Sequence, residues 1–129
     1  MAIPYICLFI VMILPTVLSW VGGYFRQKQY GTVDNKHPRQ QYAGLQDAGA
    51  RAYAAQLNAW EALPIFACSV FVAALTNAID SKNAAIAASV FVIARVLHPI
   101  FYLADKDMLR SLAYLVGMGC AIWLFFMGA

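Results

Sequence analysis

Four polar residues near the middle of the chain are the first candidates for chemistry. Arg51, Gln56, Asn58 and Glu61 precede an apolar run that continues to Leu75. Positions three, four and seven apart share one helix face, so Arg51, Asn58 and Glu61 are predicted to form a polar stripe. Such groups are costly to place in hydrocarbon, and a stripe of them on a membrane helix therefore indicates a functional site. The alternative is a structural polar contact between helices.

Two more polar groups occur in the second half of the chain. Arg95, His98 and Tyr102 are spaced three and then four positions apart, which places them on one helix face. The other group is Arg110, Ser111 and Tyr114. We interpret His98 as a hydrogen-bonded packing residue in preference to an acid–base catalyst.

A donor-rich set that includes several arginines is suited to an anionic ligand. Arginine can bind a carboxylate through two parallel hydrogen bonds, and it stays charged at any relevant pH. A fixed positive charge beside a thiol also lowers the thiol pKa and so stabilises the thiolate. The sequence has no metal-ligand spacing, no phosphate-binding glycine loop and no Ser/His/Asp arrangement, so we expect no metal site.

The elements that must position these residues are membrane helices. Of the 129 residues, 63% are apolar and 12% are charged, with a mean hydropathy of +0.67. Four apolar stretches each approach the roughly 20 residues that span a bilayer. We predict one all-α integral membrane domain, a four-helix bundle with a polar loop beginning at Arg26. Its helices are expected to cover about residues 2–25, 48–76, 84–104 and 108–126.

The distribution of basic residues predicts the orientation of this bundle. The first and third loops and their helix ends carry most of them: Arg26, Lys28, Lys36, Arg39, Arg51, Lys106 and Arg110. The second loop carries Lys82 alone, and the tails carry none. Basic loops stay in the cytoplasm, so loops 1 and 3 are predicted to be cytoplasmic and both termini to lie on the opposite side. The net charge of +3 is thus a topology signal and not a nucleic-acid-binding surface.

Helical rise then predicts how deep the polar groups lie. If Arg51 and Asp105 mark the cytoplasmic interface, Glu61 and Arg95 both lie about 15 Å into the membrane. Opposite charges at one depth are expected to pair, because either alone would be costly. We therefore predict a Glu61–Arg95 ion pair, within a subunit or across an interface, below a polar cavity open to the cytosol.

The same polar segments carry a resemblance to a known family. They read Arg51…Asn58-Ala-Trp-Glu61-Ala-Leu-Pro64, Arg95-Val-Leu-His98-Pro-Ile-Phe-Tyr102 and Leu109-Arg110-Ser111-Leu-Ala-Tyr114. In this order they resemble the MAPEG family, the membrane-associated proteins in eicosanoid and glutathione metabolism. His37-Pro38-Arg39 is similar to the Asn-Pro loop signature of that family, with His37 replacing the asparagine. The resemblance covers nearly the whole chain.

The resemblance implies a homotrimer in a bacterial inner membrane, with glutathione bound at each subunit interface and open to the cytoplasm. Arg110 would stabilise the glutathione thiolate, with Ser111 beside it, and these are the candidate catalytic residues. The thiolate would attack a hydrophobic electrophile from the bilayer or reduce a lipid hydroperoxide. The candidate glutathione-binding residues are Arg51, Gln56, Asn58, Glu61, Arg95, His98, Tyr102 and Tyr114.

One departure from the family pattern keeps other functions open. Catalytic members commonly place an arginine four residues before the asparagine, where this chain has Ala54. The second hypothesis is therefore a protein of this fold that binds a lipid or another anionic amphiphile without glutathione chemistry. The third is a small four-helix transporter with Glu61 as a proton-coupled carboxylate. The absence of acidic residues from the first helix and the strong basic bias between loops argue against transport.

Overall fold

The computed structural model describes residues 1–129 as helices joined by short connections, with no strand. The helices are α1 (Ile3–Tyr30), α2 (Pro38–Ala43), α3 (Asp47–Leu75), α4 (Lys82–Leu103) and α5 (Asp107–Phe125). Four of them, α1, α3, α4 and α5, are long and apolar enough to cross a membrane. The predicted all-α bundle of four membrane helices is confirmed.

The first helix is longer than predicted, and the loop after it contains a helix that was not predicted. We placed the start of the polar loop at Arg26, but α1 continues to Tyr30 and ends at Gly31, whose φ is +75°. Glycine adopts this left-handed conformation without steric cost, and its N–H closes the helix on the Gln27 carbonyl at 2.9 Å. The short α2 begins at Pro38, since proline suits a first helical position.

One end of the bundle is a dry core, which we call the apolar end. Its centre is the pair Phe66 and Phe91, whose rings stack with centroids 4.0 Å apart and planes 5° from parallel. Small residues surround the pair and allow the helix backbones to approach closely, which is how membrane helices gain packing energy. The buried residues of this end are Cys7, Val11, Ala62, Phe66, Val70, Ala73, Ile79, Ala84, Ala87, Ala88, Phe91, Ala121 and Leu124.

The loop between α1 and α2 is held by an arginine near the end of α1. The Arg26 side chain is 5% exposed, and its guanidinium donates to Gln41 Oε1 and to the Asp34 carbonyl, both at 2.7 Å. It also lies 4.7 Å from the centre of the Tyr42 ring, whose hydroxyl donates to the Ser19 carbonyl at 3.1 Å. Arg26 is therefore a loop anchor and not simply a solvated basic residue.

Candidate functional site

The direction of the helices brings the polar residues to one end of the bundle. The start of α3, the end of α4 and the start of α5 all lie on the side of loops 1 and 3, because successive membrane helices alternate in direction. Their polar side chains line one groove of about 390 Å³, which we call the polar groove. It is lined by Asn58, His98, Tyr102, Arg110, Ser111, Tyr114 and Leu115. Three sequence segments predicted to carry chemistry thus share one site.

The two sides of the polar groove contact each other directly. The Arg110 guanidinium lies over the Tyr102 ring, 4.3 Å from its centre, in the geometry of a cation–π contact. The His98 ring packs edge-on against Tyr102 at 5.7 Å and 70°. His98 is 3% exposed, and its Nδ1 has no hydrogen-bond partner within the chain. The side chain is therefore a packed wall of the groove, although the hydrogen bond we expected for it is absent at Nδ1.

A small cavity lies beside the polar groove, deeper in the bundle. It has a volume of about 40 Å³. Its lining includes Asn58 and Tyr114, which also line the polar groove, together with Glu61 and Arg95. Arg95 is 2% exposed, and its terminal nitrogen donates to Asn58 Oδ1 at 2.8 Å. Asn58 is thus in contact with the buried arginine on one side and with the polar groove on the other.

The predicted Glu61–Arg95 ion pair is absent within the chain. Glu61 and Arg95 line the same small cavity, but Arg95 forms its hydrogen bond with Asn58, one turn away from Glu61 on α3. The single acid–base pair in contact joins His37 to Asp34 at 3.6 Å, outside the membrane helices. Helical rise predicted the common depth of the two side chains, whereas the rotation of α3 against α4 decides which one Arg95 meets. A pair across a subunit interface stays a prediction.

Two of the predicted binding residues lie outside both spaces. Arg51 donates to the Leu103 carbonyl at the carboxyl end of α4, at 3.5 Å, two turns before Asn58. Gln56 lines a separate groove of about 400 Å³ between α2 and α3, and its Oε1 is buried without a partner. The Arg51 contact shows that positions sharing a helix face meet different neighbours at different depths.

This α2–α3 groove was not predicted from the sequence. It is lined by Pro38, Arg39, Tyr42, Tyr53, Gln56, Leu57 and Trp60. Tyr42 and Tyr53 stack in it, with ring centres 4.8 Å apart. The aromatic residues at 53 and 60 were available as a signal, but their partner Tyr42 belongs to a segment interpreted as loop.

The polar groove can hold an anion by hydrogen bonds and charge. A guanidinium, an amide and several hydroxyls line it, and none of its side chains is acidic. Arg110 is the one permanently charged group in the lining, so an anionic centre would be stabilised beside it. The chemistry that this arrangement supports is the binding of an acceptor-rich anion, or the stabilisation of a thiolate.

Comparison with known proteins gives one result. The family model for the MAPEG family matches residues 3–129. Neither curated proteins nor solved structures yield a match to the chain.

Proposed function

The chain belongs to the MAPEG family, and we propose that it is a glutathione-dependent transferase or peroxidase. The observation that supports this proposal is the polar groove, where Arg110, Ser111 and Tyr114 of α5 face His98 and Tyr102 of α4. Its volume of about 390 Å³ is within the range of small-molecule sites.

The donors that line the groove match the acceptor groups of glutathione. Glutathione has two carboxylates and two amide carbonyls, which are hydrogen-bond acceptors, and Tyr102, Tyr114 and Asn58 offer donors. When bound, it supplies a thiolate nucleophile for a hydrophobic electrophile or a lipid hydroperoxide. Arg110 lowers the pKa of that thiol by its charge, and the Ser111 hydroxyl donates to the sulfur. The Tyr102 ring holds the Arg110 guanidinium in place by the cation–π contact.

Access from the bilayer is a further part of the proposal. Leu115 lines the polar groove and is 64% exposed on the outer surface of α5, which would face lipid hydrocarbon. A hydrophobic electrophile dissolved in the membrane therefore meets the groove at Leu115, whereas a water-soluble thiol meets it at the end of loops 1 and 3.

We further propose that three copies assemble and that the neighbouring copy supplies Gln56. Within one chain Gln56 belongs to the α2–α3 groove, so it does not share the polar groove with Asn58. The exposed Trp60 and the open groove that it lines with Gln56 support a contact between copies on this face. Chemical cross-linking in native membranes is expected to give a trimer, and a monomer only would contradict this part of the proposal.

The experiment that tests the proposed function is a glutathione titration of the purified protein in detergent, followed by thiolate difference absorbance. We expect a saturable signal that Arg110→Ala abolishes. Lys106→Ala is the matched control, because it removes an exposed positive charge at the same end of the bundle without changing the groove lining. No signal from the folded wild-type protein, or an equal signal from Arg110→Ala, would contradict thiol activation.

A second candidate function is the binding of an anionic amphiphile without thiol chemistry. It is favoured by Ala54, which stands where catalytic family members commonly carry an arginine. A charge-assisted hydrogen bond contributes about 1.5–3 kcal/mol, so its loss would weaken glutathione binding. Ala54→Arg discriminates between the two candidates. Glutathione binding that appears only in this variant would favour the second.

A further inference from the structure

Arg95 is placed to act on a ligand without touching it. Its side chain is 2% exposed and lines the small cavity, and it is not part of the polar groove. Its hydrogen bond to Asn58 Oδ1, at 2.8 Å, is its only one to another side chain. We propose that Arg95 is a positioning residue that fixes the Asn58 amide with its N–H groups facing the polar groove. This inference rests on the proposed function, because glutathione is the ligand that Asn58 would meet.

The chemistry of the two side chains determines the orientation of the amide. A guanidinium has N–H donors and no acceptor, whereas a carboxamide has an acceptor oxygen at one end and a donor nitrogen at the other. Oδ1 of Asn58 is therefore the atom that faces Arg95, and Nδ2 is left to donate to another partner. Because Asn58 lines both spaces, we infer that Nδ2 faces the polar groove. A charge-assisted bond of this kind is about twice as strong as a neutral one, so it holds the amide against rotation.

A fixed amide sets the chemical class of the group that binds beside it. Nδ2 offers two N–H donors, so the ligand must present an acceptor there, either a carboxylate or a carbonyl oxygen. Without Arg95, the amide could rotate by half a turn and present its oxygen, which would repel the same acceptor. Arg95 thus contributes to ligand selection through Asn58, and its own burial keeps it from competing for the anion.

The variant Asn58→Asp separates this role from a purely structural one. The substituted carboxylate has nearly the same shape and accepts from Arg95, so thermal unfolding in detergent is expected to occur at or above the wild-type temperature. Its second oxygen would face the polar groove in place of the donor. The affinity for glutathione, measured by equilibrium titration, is then expected to fall by about tenfold or more. Unchanged affinity would show that no N–H of Asn58 faces the ligand, and it would overturn the inference.

A double-mutant cycle tests whether Arg95 acts through Asn58. Arg95→Met is expected to weaken glutathione binding about tenfold in the wild-type background and to have no further effect in the Asn58→Ala background. Equal losses in both backgrounds would overturn the inference. If Arg95→Met does not fold, Asn58→Asp still tests the inference, because wild-type glutathione affinity in that variant would also overturn the inference. No glutathione binding by the folded wild-type protein would overturn the proposed function and this inference together.

Discussion

The two ends of this bundle are made by the same helices and differ in how they are packed. At the apolar end, the Phe66–Phe91 stack is surrounded by alanines. Toward the polar end, α3 and α4 carry polar side chains and enclose the small cavity together with α5. Arg95 Nε and His98 Nδ1 are buried there without partners. Unpaired buried polar atoms cost free energy, so this end is expected to destabilise the bundle, although it forms the candidate binding site. The difference indicates that the stabilising core and the candidate binding site occupy separate ends of the bundle.

The largest expected effect is on the apolar end. Phe66→Ala removes one ring of a fully buried stack and leaves a cavity that alanine-rich neighbours do not fill, so the free energy of unfolding is expected to fall by about 3–5 kcal/mol. Thermal unfolding in detergent measures this effect. Phe71→Ala is the matched control on the same helix, since Phe71 is 58% exposed to the surroundings. Comparable losses in both variants would show that the apolar end is not the stabilising core.

The second-largest expected effect is a loss of stability where the loop packs against α1 at the polar end. A Cβ added to Gly22 would lie 2.6 Å from Cε1 of Tyr42, whose ring is held by Arg26 and by the Ser19 carbonyl. We expect Gly22→Ala to destabilise the fold by about 1–3 kcal/mol through this overlap. Gly23→Ala meets nothing within 4 Å, so it is expected to be neutral or slightly stabilising. Chemical denaturation of both variants makes the comparison.

A smaller effect is expected in the polar groove itself. Tyr102→Leu removes the ring beneath the Arg110 guanidinium, and a partly exposed cation–π contact contributes about 0.5–2 kcal/mol. Glutathione affinity should therefore fall by about 2–30-fold, with little change in unfolding temperature. Tyr102→Phe keeps the ring and loses the hydroxyl, so it separates the cation–π contribution from any hydrogen bond to the ligand. A large loss of stability in either variant would contradict the separation of the two ends.

The smallest effect concerns the pH dependence of the loop outside the membrane. The backbone N–H groups of His37 and Lys36 donate to the Asp34 carboxylate and hold its pKa below the ordinary value. The ionised Asp34 carboxylate therefore stabilises the loop at any pH above the ordinary carboxyl pKa. This stabilisation is lost as the pH falls through the lowered pKa of Asp34. Hydrogen exchange of residues 31–37 should increase only in strong acid. Asp34→Asn keeps an acceptor that does not titrate, so this rise should disappear.

The sequence predicted the four membrane helices because their signal is local. Long apolar runs and the lengths of the segments between them predict the number and extent of the helices. The observed limits of α3, α4 and α5 differ from the predicted ones by two residues at most. The first helix was predicted five residues too short, since apolar content ends near Phe25 while helical backbone continues to the glycine at 31. The six-residue α2 has no periodic pattern of its own to be recognised.

The residues of the candidate site could also be selected from local sequence patterns, but the contacts between them could not. Helical spacing selected Asn58, His98 and Tyr102, and the polar start of the last helix added Arg110 and Tyr114. All of them line one groove. Helical rise predicted Glu61 as the partner of Arg95, but within the chain Arg95 donates to Asn58. Spacing placed Arg51 in the same stripe as Asn58, but Arg51 donates to the Leu103 carbonyl. Those contacts depend on the rotation and relative height of neighbouring helices, which no single segment contains.

The sequence by itself determined that this chain forms helices in a membrane and which polar residues lie at one end of them. Both follow from the cost of placing polar groups in hydrocarbon and from the fixed rise and turn of a helix. Only the tertiary structure decided that Arg95 donates to Asn58, that Arg110 lies over Tyr102 and that Gln56 faces a separate groove. A hydrogen bond extends about 3 Å, so a small rotation of one helix against another is enough to change its partner.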